Sequence, residues 1–257
     1  MGKYFTVEVK PTIPNVAAGQ HAAFADNDVL FDWYSFDIPR GTARLIHVDM
    51  EVRPKADASA TVNELDLELL FAKAGKHTVA PFGKFNLDAP TSLGTSNSAP
   101  TADVNLSNHV IGFIPNGSWT AFEQHLDSTA YTQCREDKCS IFFNNTSPRP
   151  NAGYDTYYIG GICKGAFDFR SGILLNGAVT SGSTLTVDGV DPRLALAVGD
   201  TIAVTATADT SVSRSVGVIK SMPDANTIIC EDDGFILADN DIVYNVAPIT
   251  FRFHFEQ

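Results

Sequence analysis

The chain has 257 residues, of which 44% are hydrophobic and 19% charged, and its 18 basic and 30 acidic residues give a formal net charge of −12. This composition is typical of an acidic globular protein with one or two folded units. The acidic excess argues against nucleic acid or a membrane as a partner, because phosphate binding needs clustered lysine and arginine. The sequence contains no apolar run of membrane-spanning length and no signal-peptide pattern, so we expect synthesis in the cytoplasm.

Apolar and polar residues alternate with period two along several segments, which predicts half-buried β-strands. The first segment places Phe5, Val7 and Val9 on one face, and the last, residues 249–255, repeats the pattern. We therefore predict that the two termini pair in one antiparallel sheet. In residues 45–52, the alternation predicts Ile46, Val48, Met50 and Val52 in the core and Leu45, His47, Asp49 and Glu51 on the solvent face. Other predicted strands lie at residues 29–38, 65–71, 109–114, 140–143, 154–162 and 166–169.

Proline and glycine interrupt the chain often, so few windows remain in which a helix could form. The best window is residues 119–130, where Phe122 and Leu126 stand four apart beside polar residues. We predict a short amphipathic helix there. Residues 86–105 are small, polar and contain proline, which predicts a long exposed loop.

The composition changes after Phe169, where aromatic residues become rare and Gly, Ser, Thr, Val and Ala dominate. Turn residues separate five predicted short strands, at residues 184–187, 201–207, 212–220, 227–231 and 241–246. These strands predict a small β-barrel of SH3-like or OB-like size, inserted at residues 177–247. The fold prediction is all-β: a jelly-roll-like antiparallel β-sandwich of residues 1–176 plus 248–257, with the barrel as its insertion.

Common hydrolase, protease and nucleotide-binding motifs are absent, and we assign no catalytic residue and no cofactor. The sharpest enzymatic alternative is His47-Val48-Asp49, because two residues two apart on a strand point to the same side. With one more histidine they would form the two-histidine, one-carboxylate triad of a non-haem iron oxygenase. The third ligand stays open among His77, His109, His125 and His254. The competing interpretation is an ordinary solvated strand face, since Glu51 and Arg53 follow on the same side.

Three further features have a functional and a plain interpretation. Asp26 and Asp28 are the leading candidates for calcium ligands, but the chain lacks the EF-hand spacing and turn formation explains such acidic pairs. Phe31 and Trp33 are surface candidates for sugar stacking, while Leu30, Tyr34, Phe36 and Ile38 are predicted as core. Cys134 and Cys139 are separated by four residues in CREDKC, which favours free thiols or a small closed loop over a zinc site. Whether the two cysteines pair is left open.

Two regions carry a family resemblance. The first is FDWYSFDIPRGTARLIHVDMEVRP followed by ELDLELLFAKA, and the second is YDTYYIGGICKGAFDFRSGILLNGA leading to APITFRFHFE. Together they resemble virion structural proteins of tailed bacteriophages, particularly marine ones, which are rich in β-structure and often carry a small barrel near the C terminus. The resemblance covers most of the chain and brings no catalytic or ligand motif with it.

The resemblance implies a non-enzymatic head decoration or cement protein that binds the outer capsid surface. The implied partners are the major capsid protein or other virion proteins, in a homotrimer, and the implied location is the virion, after synthesis in the bacterial host. Residues 1–19 and the loop bounded by Asn86 and Asn105 are the candidate contact segments, with Phe31 and Trp33 as candidate contact side chains. The alternatives are a tail, neck or receptor-binding module with lectin-like glycan recognition, and the less favoured iron oxygenase.

Overall fold

In the computed structural model, residues 2–13, 24, 26, 29–57, 66–73, 110–115, 122–124, 132–136, 139–144, 153–165, 169, 171–206 and 213–257 are described. These residues form sixteen strands and one short 3-10 helix, Pro192–Leu194. The strands are β1 Tyr4–Val9, β2 Val29–Pro39, β3 Thr42–Val52, β4 Leu67–Lys73, β5 Val110–Ile114, β6 Phe122–Gln124, β7 Thr132–Glu136, β8 Ile141–Asn144, β9 Tyr154–Cys163, β10 Ile173–Leu175, β11 Thr184–Gly189, β12 Thr201–Thr205, β13 Ser213–Asp224, β14 Thr227–Cys230, β15 Ile242–Asn245 and β16 Ile249–Glu256.

Two antiparallel sheets form the sandwich. The first has the order β1-β16-β3-β7-β6, with β8 paired to the other half of β3, and the second has the order β2-β9-β4-β5. The β6–β7 hairpin and the barrel strands can be set aside, and the remaining eight strands (β1–β5, β8, β9 and β16) can be renumbered 1 to 8 in chain order. In this numbering the strand order is 1-8-3-6 in one sheet and 2-7-4-5 in the other. This order is that of a jelly roll built from two Greek keys. The predicted fold class is therefore confirmed.

The predicted pairing of the termini is confirmed as well. β1 and β16 are antiparallel, with Phe5 opposite Phe255, Val7 opposite Phe253 and Val9 opposite Phe251. On its other side β16 pairs with β3, so the last strand lies between the first strand and the middle of the sheet. The apolar alternation at both ends of the chain sets this register, because a slip by one residue would turn every phenylalanine away from the core.

Aromatic side chains from both sheets fill the sandwich core, with Phe143 at its centre. The centre of the Phe143 ring lies 5.1 Å from the ring centre of Phe255 in its own sheet. In the facing sheet, the ring centres of Phe36, Phe71 and Tyr157 lie at 6.1, 5.8 and 4.8 Å. All four contacts are edge-to-face, an arrangement that the quadrupoles of aromatic rings favour. Phe143 thus holds the two sheets together.

Six strands close the barrel, in the order β10-β11-β14-β13-β12-β15. Five of them lie in the segments predicted for the insertion, and the sixth, β10, precedes residue 177. Apolar side chains pack inside, among them Leu185, Ile202, Val216 and Ile228. The barrel interior is consequently a second hydrophobic core, separate from the aromatic core of the sandwich.

Arg53, just after β3, connects the sandwich to the barrel. Its backbone N–H donates to the carbonyl of Pro248 at 2.8 Å, and its guanidinium Nη2 donates to Asp200 Oδ1 at 3.0 Å. The other oxygen of Asp200 accepts hydrogen bonds from the backbone of Ala197 and from the amide of Asn245. The Asp200 carboxylate therefore fixes the end of the barrel that lies beside the sandwich.

Three local predictions were wrong. Within residues 119–130, Phe122–Gln124 form β6, paired with β7 at the edge of the first sheet, so edge pairing overrode the helical spacing. In β3, Leu45 is buried in place of Ile46, because a bulge shifts the alternation. In β2, Tyr34 is exposed and Phe31 is fully buried, because the pairing with β9 shifts register between Val29 and Phe31 and again between Phe31 and Tyr34.

Within the part of the chain that is described, no helix is long and apolar enough to cross a membrane.

Candidate functional site

The first sheet carries a cluster of titratable side chains on the face turned away from the aromatic core. In β16, the buried residues Phe251, Phe253 and Phe255 alternate with the half-buried residues Arg252 and His254. In the second half of β3, Val48 and Met50 are buried while His47 and Asp49 point to the other side. The outer face of the sheet therefore brings His47, Asp49 and His254 together.

The three side chains converge on the carboxylate of Asp49. His47 Nε2 lies 2.7 Å from Asp49 Oδ1, and His254 Nε2 lies 2.9 Å from Asp49 Oδ2. The two imidazole rings are 4.9 Å apart, centre to centre, with an angle of 56° between their planes. The side chains of His47, Asp49 and His254 keep 17%, 17% and 32% of their surface exposed. The cluster is therefore partly shielded from water and still reachable by a small ion.

A β-bulge places His47 in this cluster. His254 lies opposite His47, whereas the next residue of β16, Phe255, lies opposite Leu45, so Ile46 is the extra residue. Bulges change the direction of a side chain next to the inserted residue. Here the bulge lets both Leu45 and Val48 face the core while His47 joins Asp49 on the outer face.

Thr6 and Arg252 complete the surroundings of the triad. Thr6 Oγ1 is within hydrogen-bond distance of His254 Nδ1, at 3.0 Å, which orients the ring with Nε2 toward Asp49. Arg252 Nη2 donates to Glu51 Oε2 at 2.9 Å, and Arg252 Nε lies 3.3 Å from Glu8 Oε2. The positive charge of Arg252 is therefore shared between two other carboxylates.

The environment of Asp49 favours its ionised form. Burial by itself would raise the pKa of the Asp49 carboxyl, but the hydrogen bonds from His47 and His254, together with the charges of these residues, lower that pKa below its ordinary value of 3.8. At neutral pH, the centre of the cluster is a carboxylate with two imidazoles directed at it. This donor set can hold a divalent transition metal.

The other candidate residues differ in their exposure and in whether the structure describes them. Phe31 is 0% exposed, so the prediction that it lies on the surface was wrong, and Trp33 is half-buried against the core. Asp26 is exposed, whereas Asp28, Asn86 and Asn105 lie outside the described residues, as do His77, His109 and His125. Of the histidines proposed as third ligand, His254 is the one that the structure places beside His47 and Asp49.

Sequence reasoning did not include Thr6 in the site. The signal was nevertheless available, because pairing the two termini in the predicted register sets Thr6 beside His254. Cross-strand neighbours on one face of an antiparallel pair are close enough for their side chains to interact. The same logic selects His254 over more central histidines once β16 is placed next to β3.

A second polar group lies in the sandwich core. Asp155 is 1% exposed, with Oδ1 at 3.5 Å from Arg40 Nε, and Tyr157 is fully buried. Neither Asp155 Oδ2 nor the Tyr157 hydroxyl has a hydrogen-bond partner among the described residues. Burial, and next the charge of Asp155, raise the pKa of Tyr157. The Tyr157 hydroxyl is therefore neutral and, within the described part of the chain, without a hydrogen-bond partner, beside the rings of Phe36 and Phe143.

No family model matches this chain, and no match was found among the curated proteins or the solved structures.

Proposed function

We propose that this chain is a non-enzymatic structural protein of a tailed-phage virion, a decoration or cement protein that binds the outer surface of the capsid. The observation that carries the proposal is the jelly roll with strand orders 1-8-3-6 and 2-7-4-5. Viral capsid proteins commonly use this architecture, and so do lectins and enzymes, so the fold supports the proposal without deciding it. The sequence resemblance described above points in the same direction.

The state of the two cores also supports a passive role. Large aromatic side chains occupy the space between the sheets, and aliphatic side chains occupy the inside of the barrel. Jelly-roll enzymes and lipocalin-like barrels instead keep part of this interior for a ligand. A molecule filled in this way offers its outer surface as the place where it interacts.

Two exposed aromatic residues on neighbouring strands are candidate contacts. Phe113 of β5 and Phe142 of β8 are 57% and 59% exposed, and each precedes a buried residue, Ile114 or Phe143. β5 and β8 belong to different sheets and approach each other, as shown by the close approach of Gly112 to the Ile141 side chain. Large exposed apolar side chains often lie at protein contacts. Alternation along the strands places Phe113 on the outer face of the second sheet and Phe142 on the outer face of the first, and we propose Phe142 as a contact with the major capsid protein.

The triad is the specific observation in favour of a second candidate, the non-haem iron oxygenase. Such an enzyme needs open metal positions next to a pocket that holds a substrate. The His47–Asp49–His254 cluster, however, lies on the outer face of the first sheet, among the ion pairs of Arg252, and not in the space between the sheets. For this reason the non-enzymatic function is the one that we propose.

The decisive experiment is mass spectrometry of purified virions from the phage that encodes the chain, with copy number, together with light scattering of the isolated protein. Hundreds of copies per particle and a trimer in solution are the expected results. Absence from virions together with a strict monomer would refute the proposal. A copy number of about a dozen or fewer would indicate a neck or tail component instead.

A binding assay with capsids that lack the protein tests the proposed Phe142 contact. Phe142→Ala should weaken capsid binding without loss of folding, since this side chain is exposed. Val198→Ala, an equally exposed apolar position in the barrel, is the matched control and should bind normally. Equal capsid binding by the unaltered protein and by both variants would exclude Phe142 as a contact.

A further inference from the structure

We propose that His47, Asp49 and His254 form a binding site for one divalent transition-metal ion of the Zn²⁺ type, which connects β16 to β3. The three residues offer two imidazole nitrogens and one carboxylate oxygen, all within 4.8 Å of one another. Imidazole and carboxylate together suit borderline metals such as zinc, and sites with three protein ligands complete their coordination with water. This inference is independent of the virion function proposed above.

The distances are close to those that a metal requires. Two ligand atoms at about 2.1 Å from zinc and at a tetrahedral angle are about 3.4 Å apart. The carboxylate oxygens of Asp49 lie 2.7 and 2.9 Å from the two Nε2 atoms. To hold the ion, these two contacts would open by about 0.7 and 0.5 Å, and ligand atoms that now lie up to 4.8 Å apart would close to a similar separation.

The ligands are preorganised by the sheet. His47 and Asp49 are two residues apart on β3, and His254 is the register partner of His47 on β16. Thr6, on the far side of β16, engages His254 Nδ1, so that Nε2 is the nitrogen directed at Asp49. Partners of this kind fix the tautomer and the orientation of metal-ligating histidines. Thr6 is accordingly a positioning residue rather than a ligand.

The carboxylate of Asp49 brings a negative charge to the cluster, and both of its oxygens face histidine side chains. Arg252, which lies opposite Asp49 on β16, is engaged by Glu51 and Glu8. A divalent ion between the three residues would satisfy the carboxylate and both imidazoles at once.

Isothermal titration of the untagged, chelator-treated whole chain with zinc chloride at neutral pH tests the site. We expect one ion per chain and a melting temperature that rises with zinc concentration, while magnesium, which prefers oxygen ligands, has no effect. Lack of zinc binding by the unaltered protein would refute the proposal.

Single replacements identify the ligands. His47→Gln, Asp49→Asn and His254→Gln should each weaken zinc binding by at least about 100-fold, more than the roughly 10- to 100-fold that changes to outer residues cost. Asp233→Asn is the matched control, because it removes an exposed carboxylate between β14 and β15 that lies outside the triad. Zinc affinity that survives in His254→Gln, or that falls in Asp233→Asn instead, would contradict the assignment.

Thr6 gives a finer test. Thr6→Val should reduce zinc affinity by about 10-fold, and Thr6→Ser, which keeps the hydroxyl, should restore it. If a ligand variant does not fold, modification of the unaltered protein by diethyl pyrocarbonate replaces it. Zinc should then protect His47 and His254, and equal modification of these two histidines with and without zinc would refute the site.

Discussion

The hydroxyl of Tyr4, at the start of the first strand, donates a hydrogen bond to Glu256 Oε1 at the end of the last strand, at 3.3 Å. Arg44 of β3 binds the other oxygen of the same carboxylate, with Nη2 at 2.6 Å from Oε2. The two ends of the chain thus meet in neighbouring strands, and the same pairing continues inward to Val7 and Phe253. The core side of this pairing and its solvent side differ greatly in their contribution to stability.

Phe253→Ala should lower the free energy of unfolding by about 3–5 kcal/mol, because it removes a fully buried ring and leaves a cavity. Tyr4→Phe removes only an exposed hydrogen bond, and we expect a change within about 0.5 kcal/mol. Urea unfolding followed by fluorescence measures both changes. Equal losses in the two variants would contradict the central position of β16.

Phe143 and Phe142 provide a second matched pair, on adjacent positions of β8. Phe143→Ala should cost about 3–5 kcal/mol, because its ring contacts aromatic residues of both sheets. Phe142→Ala, at a position that is 59% exposed, should change stability by no more than about 0.5 kcal/mol. Thermal unfolding of both variants distinguishes them. A large loss in Phe142→Ala would also invalidate its use in the capsid-binding assay.

The sequence predicted the jelly roll, the barrel and the meeting of the termini, because long period-two alternation is a strong signal for half-buried strands. It did not predict the burial of Phe31 or the exposure of Tyr34, since both depend on register shifts in β2 that local alternation does not reveal. Gly161 illustrates the missing information: a Cβ there would overlap the Phe31 ring, so the ring occupies the space over a glycine on the neighbouring strand.

The sequence predicted two of the three residues of the candidate site. The spacing of His47 and Asp49 placed both on one face of a strand, but the third histidine depends on which strand lies beside β3. That neighbour is the last strand of the chain, about 200 residues away, and cross-strand pairs are fixed by topology rather than by spacing. The bulge at Ile46 likewise depends on the pairing with β16.

Asp191 should make the stability of the barrel depend on pH. Its carboxylate accepts hydrogen bonds from the guanidinium and the backbone N–H of Arg193 at the start of the 3-10 helix. The side-chain hydrogen bond from Arg193 is the largest influence and lowers the pKa of Asp191, and the backbone hydrogen bond and the charge of Arg193 act in the same direction, against the opposing effect of burial. Because the folded-state pKa is the lower one, the stabilisation is complete above the unfolded pKa of about 3.9 and is lost as the pH falls through the folded value.

Asp191→Ala should therefore lower the free energy of unfolding by about 1 kcal/mol at neutral pH, the usual value of an N-terminal cap. The difference from the unaltered protein should shrink as the pH falls below about 4. Denaturant unfolding across this range measures it, with Asp233→Ala, an exposed acid in a barrel turn, as the control. A difference that stays constant down to acidic pH would mean that the Asp191 charge contributes nothing.

Tyr157→Phe should leave the protein as stable as before or raise its free energy of unfolding, by up to about 1 kcal/mol. The reason is that the buried Tyr157 hydroxyl has no hydrogen-bond partner among the described residues, and burial of an unsatisfied hydroxyl costs about 1–3 kcal/mol by mutational measures. The ring itself, which contacts Phe36 and Phe143, is retained. Urea unfolding measures the change, and Tyr157→Ala, which removes the ring as well, should lose about 3–5 kcal/mol as the control for packing. If Tyr157→Phe were instead destabilised by more than about 1 kcal/mol, the Tyr157 hydroxyl would have to be satisfied, for example by an ordered water.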